Sequence, residues 1–279
     1  MGIKKIIQKK RVVCYFILTF LISWIGAFAL VANKLILREP IPSLDGILMF
    51  PIMLLGPFIS GITLTGITGG KIALKELRGR LNPKKVPGHW YLILLIPPVA
   101  ILSTLSILSV TLSKEYFPNF FFIGILFGIP AGLLEEIGWM GFAFPNMSKQ
   151  RTALFNGIIL GLIWSLWHLP AINFLGTASP HGSFWLSYFL SFIMVMTAMR
   201  VIMVWAYCNT QSLLLVQLMH ISSTGFLVIL SPSPITIQHE PVWYFAYSIV
   251  LWAIVLCLIS KFGKNLKADV HKNKRLLKN

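Results

Sequence analysis

The chain has 279 residues, 56% hydrophobic and only 11% charged, against the roughly 25% charged residues of an ordinary globular domain. A soluble fold of this length has no interior large enough for so much apolar surface, so an integral membrane protein is expected. The net charge of +16 gathers at the two ends and in two loops with no interleaved aromatic patch, which suits an anionic membrane face and argues against nucleic acid as a partner.

A transmembrane helix takes about 20 mostly apolar residues. Eight segments meet that length: 12–32, 47–67, 90–113, 118–144, 153–173, 184–207, 212–230 and 242–260. The first follows the basic start MGIKKIIQKKR and is longer than a signal-peptide core, so it reads as a retained span, although Ala27-Phe28-Ala29 loosely fits a cleavage site. A very short link, 208–211, joins the sixth and seventh. Helices satisfy their own backbone in lipid, and the short alternating segments of a barrel are absent. The expected fold is therefore all-α: a polytopic bundle of about eight transmembrane helices in a single membrane domain, 1–279. Cys14, Cys208 and Cys257 are odd in number and far apart, which gives neither a disulfide framework nor a zinc spacing.

Charge predicts the orientation. With a cytoplasmic N-terminus, the inside segments hold Lys4, Lys5, Lys9, Lys10 and Arg11, then Lys71, Lys75, Arg78, Arg80, Lys84 and Lys85, then Lys149 and Arg151, and seven more in the basic tail 261–279. The outside loops hold Lys34, Arg38 and Lys114, a bias of twenty against three. Both termini are expected in the cytoplasm, in a multi-pass protein of a bacterial plasma membrane with membrane lipids as partners. The basic stretch 71–88 is either a helix on the anionic leaflet or a solvated loop.

The polar residues within spans are few. Of eight carboxylates only Glu135 and Glu136 sit in a span, and of six histidines only His168 and His220 are well inside one. An ionisable group in hydrocarbon costs roughly 2.5–3.5 kcal/mol or more and marks a functional site by default. At 1.5 Å per residue, Glu135 and His220 lie about 14 Å from the cytoplasmic side, Arg200 about 12 Å and His168 about 22 Å. One shared cavity, opening to the cytoplasm, is expected. Gly124, Gly128, Gly132 and Glu136 form one stripe on the fourth span, and Gly157, Gly161 and Ser165 form another on the fifth, a spacing that lets helices approach closely.

Two glutamates and two histidines suffice for amide hydrolysis. A carboxylate in an apolar site takes a proton from water and returns it to a leaving group, one imidazole helps hold the water, and a second imidazole beside a hydroxyl donates to an oxyanion. The same four residues are also a zinc-ligand set, but neither HExxH nor a cysteine cluster is present. No cofactor is expected, with zinc the alternative.

Three motifs resemble those of the CAAX-protease-and-bacteriocin-processing (CPBP, or Abi) family of intramembrane peptidases. Glu135-Glu136-Ile137-Gly138-Trp139-Met140 resembles EExxxR, Trp164-Ser165-Leu166-Trp167-His168 resembles FxxxH, and His220-Ile221-Ser222-Ser223-Thr224 resembles HxxxN. The resemblance covers the core, 118–226. It implies that Glu135 activates water with His168, that His220 and Thr224 stabilise the oxyanion, and that Glu136 supports the site. It also implies an endopeptidase acting on a peptide or lipid-associated protein, although no sequence feature marks a prenyl-binding groove. Met140 stands where the family has Arg, Trp164 replaces Phe, a mild change, and Thr224 replaces Asn while keeping a donor. The lost Arg leaves open a non-catalytic scaffold or immunity protein of the same fold, and Glu135, Glu136, His168 and Arg200 as a relay leave open a proton-coupled transporter. Arg200 is the one Lys or Arg within a span, at a depth close to that of the glutamates. It is expected either to reach them from the sixth span or to snorkel to the cytoplasmic surface.

Overall fold

The computed structural model describes residues 7–82, 86–147, 150–175 and 181–267, and these are helical without a strand. Lys84, Lys85, Lys149 and the tail beyond 267 lie outside the described residues. Among the described residues seven helical segments are long and apolar enough to cross a membrane: α1 (Arg11–Leu37), α2 (Ser43–Gly79), α3 (Ile96–Thr111, entered through a 3-10 helix Gly88–Leu95), α4 (Phe122–Asn146), α7 (Trp185–Thr210), α8 (Leu213–Leu230) and α9 (His239–Phe262). The fifth expected segment, 153–173, is divided into α5 (Ala153–Trp167) and the short α6 (Leu169–Leu175). The break falls at His168, and Pro170, which has no N–H to donate to the preceding turn, stands just beyond it. The chain is an integral, multi-pass membrane protein.

The helices turn small and polar residues inward. Tyr15, Thr19, Ser23, Ala27 and Val31 recur every four residues on the buried face of α1, while Val13, Ile17, Leu21 and Ile25 are exposed. In lipid the exposed apolar side chains are solvated, so close packing and interhelical hydrogen bonds hold the bundle together. Ser23 Oγ accordingly donates to Met53 O across the α1–α2 contact at 2.6 Å. Helix α7 is the central element: all ten residues 195–204 are buried, as befits a helix surrounded by others.

Helix α2 extends well past its expected end and bends at Gly70, where φ is +64°, a conformation that glycine adopts without a Cβ penalty. The continuation to Gly79 is helical and carries Lys71, Lys75 and Arg78 on one face, all exposed. The first part of the basic stretch, to Gly79, is thus helical.

Glycine sets the α4–α8 approach. A Cβ on Gly128 would lie 2.5 Å from Ile221 O and one on Gly132 2.5 Å from Gln217 O. On the other side of the site, a Cβ on Gly161 would lie 2.7 Å from Thr197 Cα of α7. The two small-residue stripes are therefore the contact lines that bring the polar spans together. Gly128→Val should separate α4 from α8 and destabilise by about 1–3 kcal/mol or more, the usual cost of overpacking. Gly79→Ala, where nothing lies within 4 Å, should be silent. Thermal unfolding in detergent checks both, and an unchanged Gly128→Val would contradict this packing.

Candidate active site

Glu135 and Glu136 lie where the turns of α4 widen. Ala131–Glu135 and Trp139–Ala143 are π-helical, with one α-helical turn, Glu136–Gly138, between them. Pro130, which cannot donate to the preceding turn, stands at the start of the first widening. A wider turn reduces the angle between successive side chains, and both adjacent carboxylates are completely buried.

Each glutamate has a different environment. Glu136 is fully engaged: its Oε2 accepts from Arg200 Nη1 at 2.7 Å and its Oε1 meets His220 Nδ1 at 2.7 Å. An ionised carboxylate only accepts, so His220 donates from Nδ1 and turns Nε2 away from Glu136. Arg200 does not snorkel. It is fully buried, with its guanidinium carbon 4.0 Å from the centre of the Trp164 ring. It supplies the cation that Met140, itself fully buried, cannot. Glu135 is half engaged: Trp164 Nε1 donates to its Oε2 at 2.7 Å, while its Oε1 has no partner among the described residues.

Trp164 is the centre of the arrangement. Its indole N–H anchors Glu135, its face carries Arg200, and its carbonyl accepts from His168 Nδ1 at 2.8 Å. That bond fixes the tautomer and leaves His168 Nε2 as an acceptor. The rings of His168 and His220 stand edge-on to Trp164 with centroids 5.3 and 5.1 Å away. The expected convergence of Glu135, Glu136, His168 and His220 is thus present. Replacing phenylalanine by Trp164 is not the mild change expected of it, because the indole N–H is a bond that a phenyl ring cannot make. The signal was available in the sequence as a buried donor needing a partner.

Thr224 lies one turn beyond His220 on α8 and, with His168, lines a cavity of about 440 Å³. Phe50, Phe192, Met196 and Leu227 form apolar walls, and the cavity runs to the exposed Ser233 and Pro234, with His181 and Glu240 at its rim. It therefore opens at the end of the bundle formed by residues 181–185 and 231–240.

The mouth is tied down by Glu115, whose Oε2 accepts from Thr236 N at 2.9 Å and pairs with His239 Nδ1 at 3.0 Å. The Thr236 N–H, followed by His239, holds the Glu115 carboxyl below its ordinary value. A lowered folded-state value means that this tether is intact above the usual glutamate range, about pH 4.3, and is lost as pH falls through the lowered value.

Among the described residues no three His, Cys, Asp or Glu side chains converge as the ligands of one metal ion. Glu136, Arg200, His220, Trp164, His168 and one oxygen of Glu135 are instead bonded within the cluster and to its backbone.

The fold and site define a polytopic membrane protein with a buried Glu–His–Trp–Arg cluster beneath an apolar cavity. Residues 117–226, which contain all three motifs, match the family model described as "Type II CAAX prenyl endopeptidase Rce1-like". The chain is also similar to CAAX prenyl protease 2 of Methanococcus maripaludis, at 28% identity over 223 residues that cover 74% of this chain and 80% of the relative. The resemblance to the CPBP family read from the motifs is borne out.

Trp164→Phe keeps the aromatic packing and removes the donor to Glu135. A hydrogen bond to a charged group contributes about 1.5–3 kcal/mol, so any reaction that depends on Glu135 should slow roughly ten- to a hundredfold while the protein stays folded. Turnover equal to wild type would show that the anchor is dispensable. For the mouth, amide exchange at Thr236 in detergent should be protected at neutral pH and should accelerate below about pH 4. In Glu115→Gln it should be fast throughout.

Proposed function

We propose that the chain is an intramembrane endopeptidase that hydrolyses a peptide bond of a membrane-associated protein or peptide with water activated by Glu135. One observation carries this reading: Glu135 is held by one oxygen on Trp164, while its other oxygen is unpartnered, in a cluster whose other carboxylate is already neutralised. The name of the archaeal relative, a CAAX prenyl protease, supports a protease.

The chemistry follows from the free atoms. Glu135 Oε1 takes a proton from water while His168 Nε2 accepts a second hydrogen bond and orients the oxygen toward the scissile carbonyl. The Thr224 hydroxyl donates to the developing oxyanion. His220, whose ring is held on Glu136 through Nδ1, is the second donor beside it. Glu135 then passes its proton to the leaving amine. Arg200 holds Glu136 in place, and Glu136 holds His220. No step needs a cofactor.

The lost motif Arg was the ground for a non-catalytic scaffold, and Arg200 in its place weakens that ground. A membrane lipid environment, cytoplasmic termini and a single domain over 1–279 complete the reading.

Glu135→Gln preserves volume but removes the base, so peptide hydrolysis by the purified protein should fall by about 10²–10⁴. Thr224→Val should cost about 10²–10³. Treatment with a zinc chelator should leave the rate unchanged. Normal cleavage by Glu135→Gln would refute the mechanism, and loss on chelation with recovery on adding zinc would establish the metal alternative.

A further inference from the structure

We infer that a second cavity, at the end of the bundle away from His168 and Thr224, binds the phosphate group of an anionic membrane lipid. Its volume is about 760 Å³, and it shares no lining residue with the cavity over the catalytic cluster.

The wall is built around a bend. Gly70, with φ +64°, turns α2, and Thr65 and Thr68 before it line the same cavity as Lys75 and Arg80 after it. Arg11, at the start of α1, and Asn146, at the end of α4, also line it. Three cations thus face one space against the single carboxylate of Glu76. None of the ion pairs among the described residues joins Glu76 to them.

Two of the three cations are held in place by neutral oxygens. Arg80 Nη1 donates to the Tyr207 hydroxyl at 2.7 Å and its Nη2 to Gly141 O at 2.8 Å, while its own carbonyl accepts from Leu213 N at 2.9 Å. Arg11 Nη1 donates to Asn146 Oδ1 at 2.9 Å. These bonds orient each guanidinium without cancelling its charge, in contrast to Arg200, which Glu136 neutralises. A guanidinium has five N–H donors, so Arg11 and Arg80 both retain donors for a phosphate, whose oxygens match their planar fork. Lys75, exposed on the same lining, adds a point charge on a flexible stem.

The place selects a lipid over a dissolved anion. Arg11 opens α1, Asn146 closes α4, and Tyr207 lies in the last turn of α7, so the cavity sits where spans end and headgroups begin. Ile72, on the same lining, is 74% exposed and offers apolar contact to the glycerol and the start of an acyl chain. Basic pockets between transmembrane helices are suited to anionic headgroups.

Native mass spectrometry of the full chain in detergent tests the site, with phosphatidylglycerol, phosphatidylcholine and inorganic phosphate titrated separately. Phosphatidylglycerol should bind saturably, and phosphatidylcholine, whose headgroup has no net charge, should bind about tenfold more weakly or less. Lys75→Gln should weaken phosphatidylglycerol about fivefold, the share of one basic side chain beside an anionic headgroup, and Arg11→Gln combined with Lys75→Gln about twenty-five-fold. Both variants keep Arg80 and its bonds. Arg78→Gln, on the same helix but off the lining, should leave binding unchanged. Equal affinity for phosphatidylcholine, no loss in the double variant, or an equal loss in Arg78→Gln would overturn the site. Inorganic phosphate binding as tightly as phosphatidylglycerol would overturn the lipid assignment.

Discussion

The buried pair of Glu136 and Arg200 is the interaction on which the rest of the site depends. A carboxylate and a guanidinium, both without solvent exposure, stand 2.7 Å apart on helices α4 and α7. Removing two charges from water is costly, and only good geometry with further hydrogen bonds offsets it. Glu136 obtains one such bond from His220, and Arg200 gains the face of Trp164. The pair thereby fixes three aromatic rings. His220 is oriented by Glu136, Trp164 lies under Arg200, and the Trp164 carbonyl sets the tautomer of His168. Glu135, adjacent in sequence to Glu136, is left with one oxygen that has no partner among the described residues.

The scaffold serves this cluster by bringing backbones close where the charges are. Gly124, Gly128 and Gly132 place α4 against α8, which carries His220 and Thr224. Gly161 places α5 against α7 beside Arg200, with the Arg200 Cβ 3.2 Å from the Cβ position at Gly161. The widened turns of α4 then present two successive carboxylates to the same interior. Small residues shape the contact lines, and the polar cluster occupies the space they enclose.

Much of this was legible in the sequence because hydrocarbon admits so few charges. Glu135, Glu136, His168, His220 and Arg200 stood out by being ionisable within apolar runs, and their depths along the helices already suggested convergence. Pro170 carried the signal for the break that divides the fifth segment. Other features were not legible. The widening of α4 depends on hydrogen bonds that tertiary packing selects, and local propensity does not reveal them. The hub role of Trp164 was hidden because a motif aromatic reads as packing until its N–H is given a partner.

A double-mutant cycle on Arg200→Met and Glu136→Gln, followed by reversible unfolding in detergent, tests the central pairing most directly. Each single change breaks a buried pair and should cost about 3–5 kcal/mol by leaving one member of the pair without its partner. The double variant, which removes both charges, should recover most of the loss, with a coupling of about 0.5–3 kcal/mol or more. Additive effects of the two substitutions would contradict the pairing and, with it, the account of how the site is held together.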